Sequence, residues 1–194
     1  MPMYHDGNRE LQDLFGSRPL ADRLAENLRR SEFEDPDKAF IESLEFFFLA
    51  TSTPIGQPDC SFKGGPPGFV RVLAPDLLVW PDYDGNGMFK SLGNIAVNPS
   101  VGLLFMRFGE APKRLRVNGR AMVCVGDPLQ AEFPGAQAII RLRPVDIFPN
   151  CPRYIPDPAN AKPSPYIPHE GEAPPEPAWK SFDMFRDVVP PRRA

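Results

Sequence analysis

The segment Trp80–Asn94, WPDYDGNGMFKSLGN, carries the residues of two different ion chemistries. Its spacing Asp82-x-Asp84-x-Asn86-Gly87 repeats the first half of a calcium-binding loop, where oxygen ligands recur at every second position before a turn glycine. The second half departs from that pattern. Counting from Asp82, the ninth position is Lys90 and the twelfth, which needs a bidentate carboxylate, is Gly93. An ammonium group beside a divalent cation is repulsive, so the acidic spelling reads as turn chemistry. Lys90 and Ser91 supply a cation and a hydroxyl suited to a phosphate. Asp84 or Asn86 is placed to cap a helix there, aiming free N–H groups and the positive dipole end at an anion. The plainer alternative is an ordinary capped helix with Lys90 in solvent.

Two further stretches point the same way. In SFKGGPPGFVRV, Lys63 precedes a Gly-Pro turn whose glycines let backbone approach a ligand closely. In KRLRVNGRA, the basic residues Lys113, Arg114, Arg116 and Arg120 lie along a strand hairpin, with Arg114 and Arg116 on one face by period-two alternation. A solvated outer face is the alternative for that strand. Other chemistries lack their residues. His5 and His169 are the only histidines, which leaves a Ser-His-Asp triad or a His-rich zinc site hard to assemble. There is no G-x-S-x-G elbow, and Phe89 stands where a phosphate-binding P-loop needs glycine before Lys90-Ser91.

The elements that must position these residues follow from periodicity. Leu11, Leu14 and Phe15, then Leu20, Leu24 and Leu28, have helical spacing, interrupted at Gly16–Pro19, which predicts two short helices. Asp35-Pro36 opens another over 37–44. Six β-rich stretches follow: 45–52, 68–73, 77–80, 101–108, 114–125 and 137–148. One helix interrupts them, with Met88, Phe89, Leu92, Ile95 and Ala96 as its apolar face and Asn98-Pro99 as its end. Strands broken by a single helix suggest a barrel that closes its own edges, without the βαβ alternation of a doubly wound fold.

The chain of 194 residues has a formal net charge of −3, which gives no general attraction to nucleic acid or anionic membrane. The polar start MPMYHDGNRE and three widely spaced cysteines, Cys60, Cys124 and Cys151, predict a cytoplasmic protein with reduced thiols. After Asn150 the chain is proline-rich, which precludes regular structure over most of its length. Tyr154, Ile155, Tyr166, Ile167, Trp179, Phe182 and Phe185 read as apolar anchors of an extended arm packed on the barrel or on a second subunit; a floppy tail is the alternative. The expected organisation is an N-terminal helical extension over 1–35, a barrel domain over 36–150 and the arm over 151–194.

Taken in order, the stretches FFFLAT (46–51), DCSFKGGPPGFVRVL, FKSLGNIAVNPSVGLLF and RLRVNGRA resemble the pyridoxamine 5′-phosphate oxidase-like FMN-binding proteins, in particular the branch known as predicted flavin-nucleotide-binding proteins. The resemblance spans about Phe40 to Tyr154, and NCPRYIP and PAWKSFD look similar to that branch's C-terminal part. It implies a mainly β fold with flanking helices (α+β), a six-stranded split β-barrel forming a homodimer, with FMN in the groove between subunits. It implies Lys90 and Ser91, with the backbone near Asn86, as phosphate contacts, and Lys63 as a further one. Phe69, Val70 and Tyr83 would then lie near the isoalloxazine ring or ribityl chain, with Arg116 reaching the flavin from the hairpin. Trp179 and Lys180 of the arm are candidates to close the pocket. The chain departs from the oxidase in carrying Lys-Ser where that enzyme has an arginine pair, and Leu115 where it has a glutamine.

The expected function is an FMN-dependent oxidoreductase acting on a small-molecule substrate or reductant, with a deazaflavin as the less favoured cofactor. The alternatives are a module that binds flavin or another phosphorylated ligand without turnover, and an interaction protein using PSPYIP and APPEPAW in polyproline II geometry.

Overall fold

The structure, a computed structural model, describes residues 3–158 and 175–189. Tyr166, Ile167, His169 and the PSPYIP motif lie outside the described residues. The chain divides into two compact units, one of residues 1–29, 108–110 and 152–194 and the other of residues 30–107 and 111–151.

In the first unit, helices α1 (Asp6–Leu14) and α2 (Arg18–Leu28) are separated at Gly16, whose positive φ of 62° suits glycine. Arg9 pairs with Asp22 at 2.6 Å, and Tyr4 donates to the carbonyl of Ala21. Arg23 donates to the Met184 carbonyl and pairs with Asp187, which ties α2 to the C-terminal segment. Trp179 lies on a 3₁₀ turn, Ala178–Ser181, edge-on to the buried ring of Phe185.

The second unit begins with Arg30, whose main chain exchanges two hydrogen bonds with Ile147 and whose guanidinium holds the buried Asp37 carboxylate at 2.5 and 3.1 Å. Asp37 also accepts from the Glu34 N–H, completing the capping box that starts helix α3 (Asp35–Glu42). Seven strands follow: β1 (Phe46–Ser52), β2 (Pro58–Gly64), β3 (Arg71–Ala74), β4 (Leu77–Tyr83), β5 (Ser100–Arg107), β6 (Lys113–Cys124) and β7 (Ala136–Asn150). Helix α4 (Lys90–Val97) lies between β4 and β5. All described pairings are antiparallel, and the sheet runs β2-β1-β5-β6-β7-β4-β3.

Six strands were expected, and the seventh, β2, corrects that reading. PDCSFKG carries none of the β-branched pattern that marks its neighbours. Among the described residues it is an edge strand, paired on one side only, so register with β1 rather than propensity makes it extended. The sheet is strongly curled. From β1 to β4 is four ladder steps, about 19 Å if the sheet were flat, yet the rings of Phe47 and Trp80 are 5.5 Å apart. Phe69 and Phe105 also pack on Phe47, giving a core that residues Phe40, Ile41 and Leu44, on and just after α3, complete. The expectation of self-closing edges is also corrected, because β2 and β3 are not paired with each other among the described residues. Around α3 the chain supplies acceptors there: the Glu42 carbonyl takes the Gly68 N–H, its carboxylate the Val72 N–H, and the Glu45 carbonyl the Gly65 N–H.

Candidate functional site

Helix α4 opens without a side-chain cap. Phe89 occupies the N-cap position in the left-handed conformation (φ 48°, ψ 30°), where its side chain presents no acceptor to the first turn and its carbonyl takes the Gly93 N–H. The capping expected of Asp84 or Asn86 is thereby corrected: the Asn86 side chain instead accepts from the Met88 N–H at 3.0 Å, forming a local turn before the helix begins. Lys90 is the first helical residue and exposed; Ser91 is the second and buried. The first-turn N–H groups, which no helical carbonyl can satisfy, therefore share one spot with an ammonium group and a hydroxyl.

The helix is docked by polar contacts. Ser91 Oγ lies 3.0 Å from Ser61 Oγ on β2, Asn94 donates to Thr51 Oγ1 at 3.0 Å, and Asn98 donates to Ser52 Oγ at 2.9 Å on β1. Residues 91, 94 and 98 share one helical face by their spacing. The apolar face expected of Met88, Phe89, Leu92, Ile95 and Ala96 is corrected in consequence: Ile95 is buried, whereas Met88 and Phe89 are 70% and 53% exposed. A polar stripe reads in sequence as a solvated face, and the hydroxyls of Ser52, Thr51 and Ser61 opposite make it a packed one, with Ser91 and Asn94 buried. That is why Ser61, Thr51 and Asn94 escaped the sequence reading.

Lys63 stands two residues beyond Ser61 on β2, so both project from the same face of the strand. The Ser61–Ser91 contact thus sets β2 against the N-terminal end of α4, with Lys63 two residues along on the same face of β2 and Lys90 one residue before Ser91. Arg116 is not among them. It is paired with Leu104, which is paired with Phe48, which is paired with Phe62, so it occupies the outer face of the sheet. There its guanidinium lies 5.8 Å from the Phe148 ring centroid. Phe69 and Val70 are 2% and 1% exposed within the core, so that segment offers a ligand backbone rather than side chains. Tyr83 ends β4 half-buried, its carbonyl accepting from Gln137. Trp179 and Lys180 belong to the terminal unit, where Lys180 pairs with Glu176 at 2.9 Å.

The donor types suit a phosphate ester: two ammonium groups, a hydroxyl and uncapped N–H groups. It does not fit a cation. Asp82 accepts from Gln137 at 2.9 Å, the Asn86 oxygen is engaged with Met88, and among the described residues no cluster of three metal-ligating side chains occurs. Asp127 and Arg141 form a bidentate pair elsewhere, at 2.7 and 3.0 Å. The guanidinium holds the Asp127 carboxyl below the usual range, while burial and then Asp127 push the Cys124 thiol up. Asp127 also accepts the Leu129 N–H to start the 3₁₀ turn Pro128–Glu132, so this cluster supports the fold.

The sequence profile of pyridoxamine 5′-phosphate oxidase matches residues 33–150, more than half of the chain, and spans every strand and α4. The chain belongs to the pyridoxamine 5′-phosphate oxidase family. No protein of curated function matches this family member by sequence. Among solved structures, it is similar to HupZ of Group A Streptococcus, at 17% identity over 60% of this chain and 93% of that one, with a TM-score of 0.49. A putative pyridoxamine 5′-phosphate oxidase of Lactobacillus delbrueckii is similar at 20% identity over 61% and 95%, TM-score 0.48. An FMN-binding protein from Syntrophomonas wolfei is similar at 10% identity over 75% and 96%, TM-score 0.46. In this oxidase-family chain, Ser61, Lys63, Lys90 and Ser91 all fall within the matched segment.

Proposed function

We propose that this member of the oxidase family binds FMN as a homodimer and serves as an oxidoreductase for a small-molecule substrate. The observation that carries this reading is the uncapped start of α4, with Lys90 and Ser91 in its first turn and Ser61 and Lys63 on the strand beside it. Lys63, Lys90, the Ser91 hydroxyl and the first-turn N–H groups hold the phosphate, by charge-assisted hydrogen bonds that a neutral hydroxymethyl group cannot replace. The main chain around Phe69 and Val70, with the half-buried Tyr83, borders the ring or ribityl chain. Arg116 is on the outer face, so it serves a site only from a second copy. When bound, the flavin supplies electron and hydride transfer, and the protein's part is to hold and orient it and tune its surroundings. The three free cysteines support a cytoplasmic location.

The purified protein is expected to show a flavin absorbance spectrum, with mass spectrometry of the released ligand distinguishing FMN from a deazaflavin. Lys90→Ala is expected to weaken FMN by roughly tenfold or more, the loss of one charged partner, while leaving riboflavin unchanged. Equal weakening of both ligands overturns the phosphate assignment. A bound flavin that accepts no hydride under anaerobic conditions reduces the reading to flavin binding.

A further inference from the structure

Ser91 is 5% exposed, and its hydroxyl has a single hydrogen-bond partner among the described residues, the Ser61 hydroxyl at 3.0 Å. Two hydroxyls carry two hydrogens, and their mutual contact uses only one. The pair therefore holds one O–H without an acceptor among the described residues, at a part-buried spot whose Ser91 side is closed to solvent. Ser91 cannot return its hydrogen to a preceding helical turn, because α4 begins one residue earlier at Lys90. The direction of the shared bond decides which hydroxyl is left to act. With Ser61 as donor, the spare hydrogen belongs to Ser91, beside the uncapped N–H groups and Lys90, all of which favour a negatively charged oxygen.

We infer that Ser61 is a positioning residue: it donates to Ser91 and thereby turns the Ser91 O–H toward an anionic oxygen. This rests on the phosphate reading above and gives it an added member on β2. A hydroxyl that accepts one hydrogen bond is polarised to donate a stronger one, so Ser61 acts through Ser91 rather than by touching the ligand.

The test is a double-mutant cycle on the full chain, with FMN and riboflavin titrated in parallel. Ser61→Ala weakens FMN on the order of fivefold and leaves riboflavin unchanged, and Ser61→Thr restores the affinity. On a Ser91→Ala background, Ser61→Ala has no further effect. Thr51→Val removes the neighbouring rung, Thr51–Asn94, and reports what loosening α4 does by itself. Unchanged FMN affinity in Ser61→Ala, additive losses in the cycle, or an equal loss in Thr51→Val overturns the inference. In each of those cases, a wild-type preference for FMN over riboflavin leaves the phosphate reading standing. A wild-type protein with no such preference removes both.

Discussion

Lys63 on β2 and Arg116 on β6 stand on opposite faces of one sheet. Lys63 is paired with Phe47, on the face that also bears Leu49, Leu103 and Val117 in the core; Arg116 is paired with Leu104 on the other. The period of two along each strand leaves no way for one copy to aim both cations at one phosphate.

In the proposed dimer, Lys63→Ala and Arg116→Ala chains are each expected to lose roughly tenfold in FMN affinity, one charged contact apiece. Unfolded and refolded together, the two variants form mixed dimers in which one of the two sites has both cations intact. A titration of the mixture is then expected to regain a fraction of tight sites. Absence of that fraction means that Arg116 does not serve a partner's site.

Phe89 holds φ 48° with a ring that is 53% exposed. The left-handed region costs a side-chain-bearing residue about 1–2 kcal/mol, and glycine's added freedom in the unfolded chain costs about 0.4–1 kcal/mol. Relief of the first is the larger effect, so Phe89→Gly is expected to stabilise the protein by roughly 0.5–1 kcal/mol in urea unfolding. Phe89→Ala keeps the backbone penalty and is expected to show no gain. Equal gains in both variants would place the cost in the exposed ring.

Gly119 lies in β6 beside the register shift against β7, and a Cβ there would stand 2.4 Å from the Arg143 carbonyl oxygen. Backbone cannot swing aside as a side chain can. Gly119→Ala is expected to cost about 2–3 kcal/mol, read from the urea midpoint at unchanged slope. A loss below about 0.5 kcal/mol, the range of an ordinary surface substitution, would mean that β7 yields locally.

The Asp127–Arg141 pair sets an acid limit. The folded protein holds the Asp127 carboxyl below its unfolded value, so the folded state binds fewer protons and stability falls as pH falls. The contribution is present at neutral pH, declines below the usual carboxylate value of about 4, and is lost as pH drops through the folded value. Asp127→Asn is expected to lower the melting temperature at pH 7, with the gap from wild type narrowing on acidification. A gap that is constant with pH would mean that the loss does not come from the Asp127 charge.

Much of the fold was legible because periodicity is local. The split at Gly16, the proline-started α3 and six of the seven strands are written in residues that neighbour one another. So is a helix start at Lys90 and Ser91, whose residue types suggest the phosphate reading proposed above. What only the tertiary structure decided are relationships between segments far apart in sequence. β2 is a strand because β1 lends it a ladder. Ser91 and Asn94 are buried because Ser61 and Thr51 meet them, which sets polar residues beside Ile95 on the packed side of α4. Arg116 is parted from Lys63 by register across four strands, which no spacing along the chain encodes. Hydrogen bonding as well as the burial of Ile95 sets how α4 sits, and it depends on partners that sequence alone does not bring together.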